Sequence, residues 1–166
     1  QIKNGGAVTT ISAVGIAIEN GWHHVAATYN SISGMKIYVD GNFINSTGVT
    51  GGLASNAQQL TIGAQHDGAG SADSDYSNFF NGNIDELRIW NVERTLAQIR
   101  YTKDTPLEGN EVGLAAYYQF NQGTVGGNNS SISSVTESVN GLNAAWPIAT
   151  AFDLSGSTSN FVTSYD

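Results

Sequence analysis

Apolar and polar positions alternate with a period of two over most of the chain, and Gly, Asn, Asp and Ser interrupt the alternation at short intervals. That pattern predicts strands rather than helices. His23, Val25, Ala27 and Tyr29 fall on one face of a strand, with Trp22, His24, Ala26 and Thr28 on the other. Met35, Ile37 and Val39 then alternate with Lys36, Tyr38 and Asp40. The Asp40-Gly41-Asn42 step tolerates positive φ and suits a tight reversal, so Trp22 to Asn45 reads as a run of three strands. Leu60 and Ile62 continue the pattern before a polar segment, Gln65 to Asn78, that fits neither a strand nor a helix. A loop of that length in a compact domain is functional or disordered.

Ile84 to Trp90 is the next predicted strand. Leu87 and Ile89 share a face and Ile84 is out of phase with them, which predicts a bulge near Asp85 and Glu86. A short helix follows, with Thr95 as its cap and Leu96 and Ile99 as its apolar stripe. Leu114, Ala116, Tyr118 and Phe120 alternate as another strand, and Asn121 to Ser134 is a Gly/Asn/Ser-rich loop. Weaker strand signals lie at Leu142 to Trp146 and at Phe161 to Val162. No internal repeat and no dividing linker is legible, so residues 1–163 read as one all-β domain with a tail at 164–166.

Four segments, in this order, carry a family resemblance: Gly21-Trp22-His23-His24-Val25-Ala26-Ala27-Thr28-Tyr29, Met35-Lys36-Ile37-Tyr38-Val39-Asp40-Gly41, Leu60-Thr61-Ile62-Gly63, and Phe80 to Asn91 with its Ile84-Asp85-Glu86-Leu87-Arg88-Ile89-Trp90 centre. Together with the short helix after them, they resemble the laminin G-like and pentraxin-like branch of the concanavalin A-like sandwiches. Leu114 to Gln122 and Gly156 to Val162 are similar to the closing part of such modules in large bacterial cell-surface proteins. The resemblance implies a two-sheet antiparallel jelly roll with ligand loops on one rim. The opening strands that precede the Trp-His-His strand in that family are largely absent from the periodicity here, which implies an N-terminally incomplete module or strands supplied by neighbouring chain.

Composition narrows the partners. Hydrophobic residues make up 40% and charged residues 12% of 166 residues, far from the makeup of disordered tails or coiled coils. The formal net charge is −8, and six scattered cations cannot neutralise a phosphate track, so nucleic acid is excluded as a partner. No apolar run reaches the ~18 residues of a membrane span. There is no cysteine, hence no disulfide and no thiolate metal site. The Asn-, Ser-, Thr- and Gly-rich, Lys-poor makeup resembles that of secreted bacterial surface proteins, an extracellular or cell-surface location.

The sharpest local feature is the acidic loop Gln65 to Asp75. Calcium takes six to eight hard oxygens, and the carboxylates, amides and glycines of this loop are the ingredients such a site needs. In pentraxin-like relatives the loop after the Leu-x-Ile-Gly strand carries calcium ligands. By that match Gln65 and Asp67 are the first candidates and Asp73 and Asp75 the next, with Tyr76 and His66 as ligand-binding neighbours. The competing expectation is a solvated acidic loop without an ion.

Catalysis is not expected. Glucan hydrolases on this fold place two carboxylates on one strand face about 5.5 Å apart for retention. Asp85 and Glu86 are adjacent, and Leu87 to Trp90 offers no further acid, so their expected role is structural: accepting backbone hydrogen bonds or pairing with Arg88. His23 and His24 point to opposite faces of a strand and cannot share a metal. Trp22, Tyr38, Trp90, Tyr117 and Trp146 are candidate platforms for a sugar ring, and each competes with an ordinary core role. Asn45-Ser46-Thr47 and Asn129-Ser130-Ser131 match the N-glycosylation pattern. The expected function is a non-catalytic adhesion module that binds carbohydrate or a protein partner through rim loops, assisted by calcium, beside neighbouring domains of a larger chain. A spacer domain with no ligand of its own is the alternative, and a glycoside hydrolase a third reading.

Overall fold

A computed structural model describes residues 2–4, 7–16, 21–53, 60–66 and 76–145. The chain forms two compact units, each built of two segments: Gln1–Asn56 with Trp90–Glu108, and Ala57–Ile89 with Gly109–Asp166. Among the described residues the architecture is antiparallel β structure with one short helix, as the periodicity predicts.

In the first unit, β1 (Ile2–Asn4) and β2 (Ala7–Thr9) form a short antiparallel hairpin. The sequence reading placed no strand ahead of Trp22. Strands of three residues are too short to register as alternation. The main sheet is β3 (Val25–Asn30), β4 (Gly34–Val39) and β5 (Asn42–Thr47), antiparallel in that order. Val39 faces Asn42, so Asp40 and Gly41 alone make the turn, with φ of 50° and 71°. Two successive positive φ values match the right-handed twist of the flanking strands, the geometry for which Asp-Gly is suited. The register shifts between Ile37 and Tyr38, and this is the bulged position in the sheet. There Tyr38 is buried and meets Phe43 edge-on at 5.9 Å.

The single helix, α1 (Leu96–Thr102), starts where Thr95 accepts from the Gln98 amide and the Gln98 side chain accepts from the Thr95 amide, a reciprocal capping box. Ile99 supplies its buried contact. Arg100 donates from Nε to the Gly41 carbonyl at 2.7 Å, which anchors the helix on the β4–β5 turn. A Cβ at Gly41 would lie 2.9 Å from Arg100 Cγ, so glycine is required there for space as well as for φ.

In the second unit, β6 (Gln65–His66) pairs with β7 (Tyr76–Ser77), β8 (Leu87–Trp90) with β9 (Leu114–Tyr118), and β10 (Ser134–Val135) with β11 (Ala144–Ala145). Ala116, Tyr118 and Val135 form the buried core, and Ile62, Leu87, Ile89, Phe120 and Ala144 pack on it. Three expectations are corrected. Residues 60–64 turn rather than extend as a strand. The segment Gln65 to Asn78 is not all loop, because its ends pair. The strand expected from Ile84 begins only at Leu87: Glu86 sits at φ 54°, which takes Ile84 out of the ladder in place of a bulge. The Asn121 to Ser134 loop is organised by Asn129, which is buried and bonds the backbone of Thr124 and Gly127. Its side-chain nitrogen is a donor in that turn, so the Asn129-Ser130-Ser131 match reflects loop architecture rather than an accessible glycan acceptor.

Candidate functional site

The acidic loop is closed at its base by a two-rung ladder, Gln65 opposite Ser77 and His66 opposite Tyr76. Phe80 continues the closure with a hydrogen bond from its amide to the Gly63 carbonyl at 2.8 Å. Asp67, Asp73 and Asp75 lie outside the described residues. Of the other residues expected here, Gln65 is exposed, and its Oε1 accepts from Asn78 Nδ2 at 2.8 Å. The donor chemistry, amide plus carboxylate oxygen on a glycine-containing loop, fits calcium. His66 enters through its backbone pairing with Tyr76. Tyr76 is 8% exposed, with its ring largely covered. Among the described residues no three His, Cys, Asp or Glu side chains are grouped to hold a metal.

The carboxylates of the Ile84 to Trp90 segment make the backbone and Arg88 contacts expected of them. Asp85 Oδ1 accepts from the Glu86 amide at 2.9 Å. Glu86 Oε2 accepts from Arg88 at 2.7 Å and from the Tyr117 hydroxyl at 2.5 Å. Arg88 also lies 5.6 Å from the centre of the Tyr117 ring, a cation–π contact. His23 and His24 gather on Asp40: Nδ1 of His23 is 2.9 Å from Oδ2, and the His24 amide donates to Oδ1 at 3.0 Å. The His23 contact, the largest influence, holds the Asp40 carboxyl below the usual carboxylate range against burial, the next largest, with a lesser contribution from the His24 amide. This is a turn-closing cluster.

The proposed sugar platforms sort by burial. Tyr117 is fully buried and Tyr38 nearly so. Trp90 is partly covered, with the Arg94 guanidinium 3.9 Å from its ring centre. Trp22 stays 38% exposed, and Trp146 lies outside the described residues.

Two features escaped the sequence reading. One is Glu137, 3% exposed, whose carboxylate accepts from the amides of Tyr117 and Val139 at 2.8 Å each, Asn140 at 2.6 Å and Leu142 at 3.4 Å. Burial raises its pKa, but the four amides outweigh burial and hold it down at about 2. The signal was present: Glu137 keeps the inward phase of Val135 and runs into Val139-Asn140-Gly141, a turn whose amides need an acceptor. The other is a cleft of about 240 Å³ lined by Gln119, Phe120, Asn121, Gln122, Thr136 and Ser138. It joins residues far apart in sequence, which no linear pattern displays.

A family model of laminin G-like domains, described as the concanavalin A-like lectin/glucanases superfamily, matches residues 1–100. No curated protein and no solved structure matches the chain. The match takes in the Val25 to Thr47 sheet, the loop ladder, the Leu87 to Trp90 strand and the start of α1. With more than half of the 166 residues matched and the antiparallel β architecture in place, this chain belongs to the laminin G-like family of the concanavalin A-like superfamily.

Proposed function

We propose that the chain is a non-catalytic binding module of a secreted or cell-surface protein, recognising carbohydrate or a protein partner through its loops, with calcium ordering the acidic loop. The observation that carries this reading is the ladder Gln65–Ser77 and His66–Tyr76, which holds the two ends of a loop bearing Asp67, Asp73 and Asp75 together. The sequence between the two paired ends supplies three carboxylates, the hard oxygen donors that calcium takes. Gln65, Asp67, Asp73 and Asp75 would hold the ion, and its contribution is to fix the loop for a partner. The net charge of −8 favours a cation or a neutral ligand over an anion. The absence of catalysis is supported by Glu86, whose Oε2 is already engaged by Arg88 and Tyr117.

A glycan array read with calcium and with chelator tests this function. Binding that requires calcium and is lost in Asp67→Ala is the expected result. No binding in either condition favours a spacer role, and reducing-sugar release from β-glucans that disappears in Glu86→Gln would restore the hydrolase reading.

A further inference from the structure

The cleft at Gln119 to Gln122 lies beyond the residues matched by the family model, so the family assigns it no role. Its lining is three carboxamides, two hydroxyls and one phenyl ring, with no formal charge. From this we infer that it is a second, metal-independent subsite that takes a single neutral sugar ring. Hydroxyls of a pyranose donate and accept, and carboxamides and hydroxyls are the side chains that do both in return. No lining side chain carries a formal charge, so an ionic ligand would gain no ion pair from them. At about 240 Å³ the cleft is smaller than the ~300–1,000 Å³ pockets of drug-sized ligands, which limits it to one ring.

Both walls are held in place from behind. Gln119 donates to the Tyr117 hydroxyl at 3.4 Å and accepts from the Ser138 hydroxyl at 3.3 Å. Tyr117 in turn donates to Glu86, which Arg88 fixes. On the opposite wall, Thr136 and Ser138 flank Glu137 and point outward, while Glu137 clamps the amides of Val139, Asn140 and Leu142. The Ser138 amide donates to the Tyr117 carbonyl at 3.0 Å, which ties this wall to β9. Walls fixed before binding lose little freedom on binding.

Unspent bonding capacity faces the cleft. Asn121 and Thr136 are exposed and make no side-chain hydrogen bond among the described residues, and Gln122 uses its amide nitrogen on the Ser134 carbonyl at 3.2 Å, which leaves its oxygen available. Phe120 sits at φ 55°, a backbone conformation a bulky residue seldom adopts. Its ring rests partly on Tyr118, 6.4 Å between centroids, and still lines the cleft, where it offers an apolar surface to the C–H face of a sugar.

The test uses the whole chain, isotope-labelled, in chelator, titrated with methyl glycosides of glucose, galactose, mannose and N-acetylglucosamine, with glucuronate as the charged counterpart. The expected result is a saturable shift of the Gln119, Asn121 and Gln122 side-chain amides with at least one neutral glycoside, and weaker or no response to glucuronate. Asn121→Ala and Thr136→Ala, both at exposed positions, should each weaken binding roughly three- to tenfold with the melting temperature unchanged. The inference is overturned if no neutral glycoside produces a saturable shift up to tens of millimolar. It is equally overturned if the double variant binds as tightly as the parent, or if binding appears only when calcium is restored. That last outcome would place sugar recognition at the acidic loop and leave the proposed function standing.

Discussion

Asp40 and Glu137 perform the same task in different surroundings. Each is a turn carboxylate that accepts from backbone amides elsewhere in the chain or turn, Asp40 of the β4–β5 reversal from His24 and Glu137 between β10 and β11 from Tyr117, Val139, Asn140 and Leu142. Asp40 keeps 46% of its side chain in solvent and shares its charge with the His23 imidazole. Glu137 is almost wholly buried and has only amides for partners. The difference teaches that an acidic chain can use carboxylates as internal caps, and that burial, not charge, decides what each is worth. In water an amide that loses its acceptor finds another, whereas in the interior it does not.

The largest effect is therefore expected at Glu137. Glu137→Ala leaves up to four amides without their acceptor and should cost roughly 3 kcal/mol or more in a denaturant melt. Glu137→Gln, which keeps one acceptor oxygen, should cost less. The same residue sets the acid limb of stability. Its folded pKa of about 2 lies below the ordinary 4.5, so its contribution is fully present above pH 4.5 and is lost as pH falls towards 2. Glu137→Gln should flatten the stability profile across that window. A profile unchanged from the parent would mean the carboxylate is not the clamp.

Gly41→Ala should cost about 1–2 kcal/mol from the left-handed φ alone, and more from the contact with Arg100 Cγ, measured as a shift in the denaturation midpoint. Asp40→Ala should cost about 1 kcal/mol or less, since its bonds are exposed, and high salt should shrink the difference further. If Asp40→Ala proved as damaging as Glu137→Ala, burial would not be what separates the two turns.

The same contrast marks what the sequence made legible. The Asp40 turn could be read because its chemistry is local: Asp-Gly lies between alternating strands, and the helix after it announces itself through Thr95, Leu96 and Ile99. The pairing of Glu86 with Arg88 was also legible, from two opposite charges two residues apart. Glu137 was not, because its value comes from Tyr117, twenty residues earlier, whose amide meets it across the fold. The pairing of Gln65 and His66 with Tyr76 and Ser77 was hidden for a related reason. Two-residue strands have no periodicity, and their partners are chosen by loop closure. The cleft depended on Gln119 and Ser138 meeting, a long-range contact. The burial of Tyr76 was not legible either, since a tyrosine at a strand end serves equally well as core or as surface.

The most direct measurement of the calcium-ordered loop is the melting temperature of the full chain in chelator and in rising calcium. If the ion binds only the folded chain, calcium at about 100 times its dissociation constant should stabilise it by about 2.7 kcal/mol, and Asp67→Ala should abolish the shift. An identical melting temperature in chelator and in millimolar calcium would contradict a calcium-ordered loop.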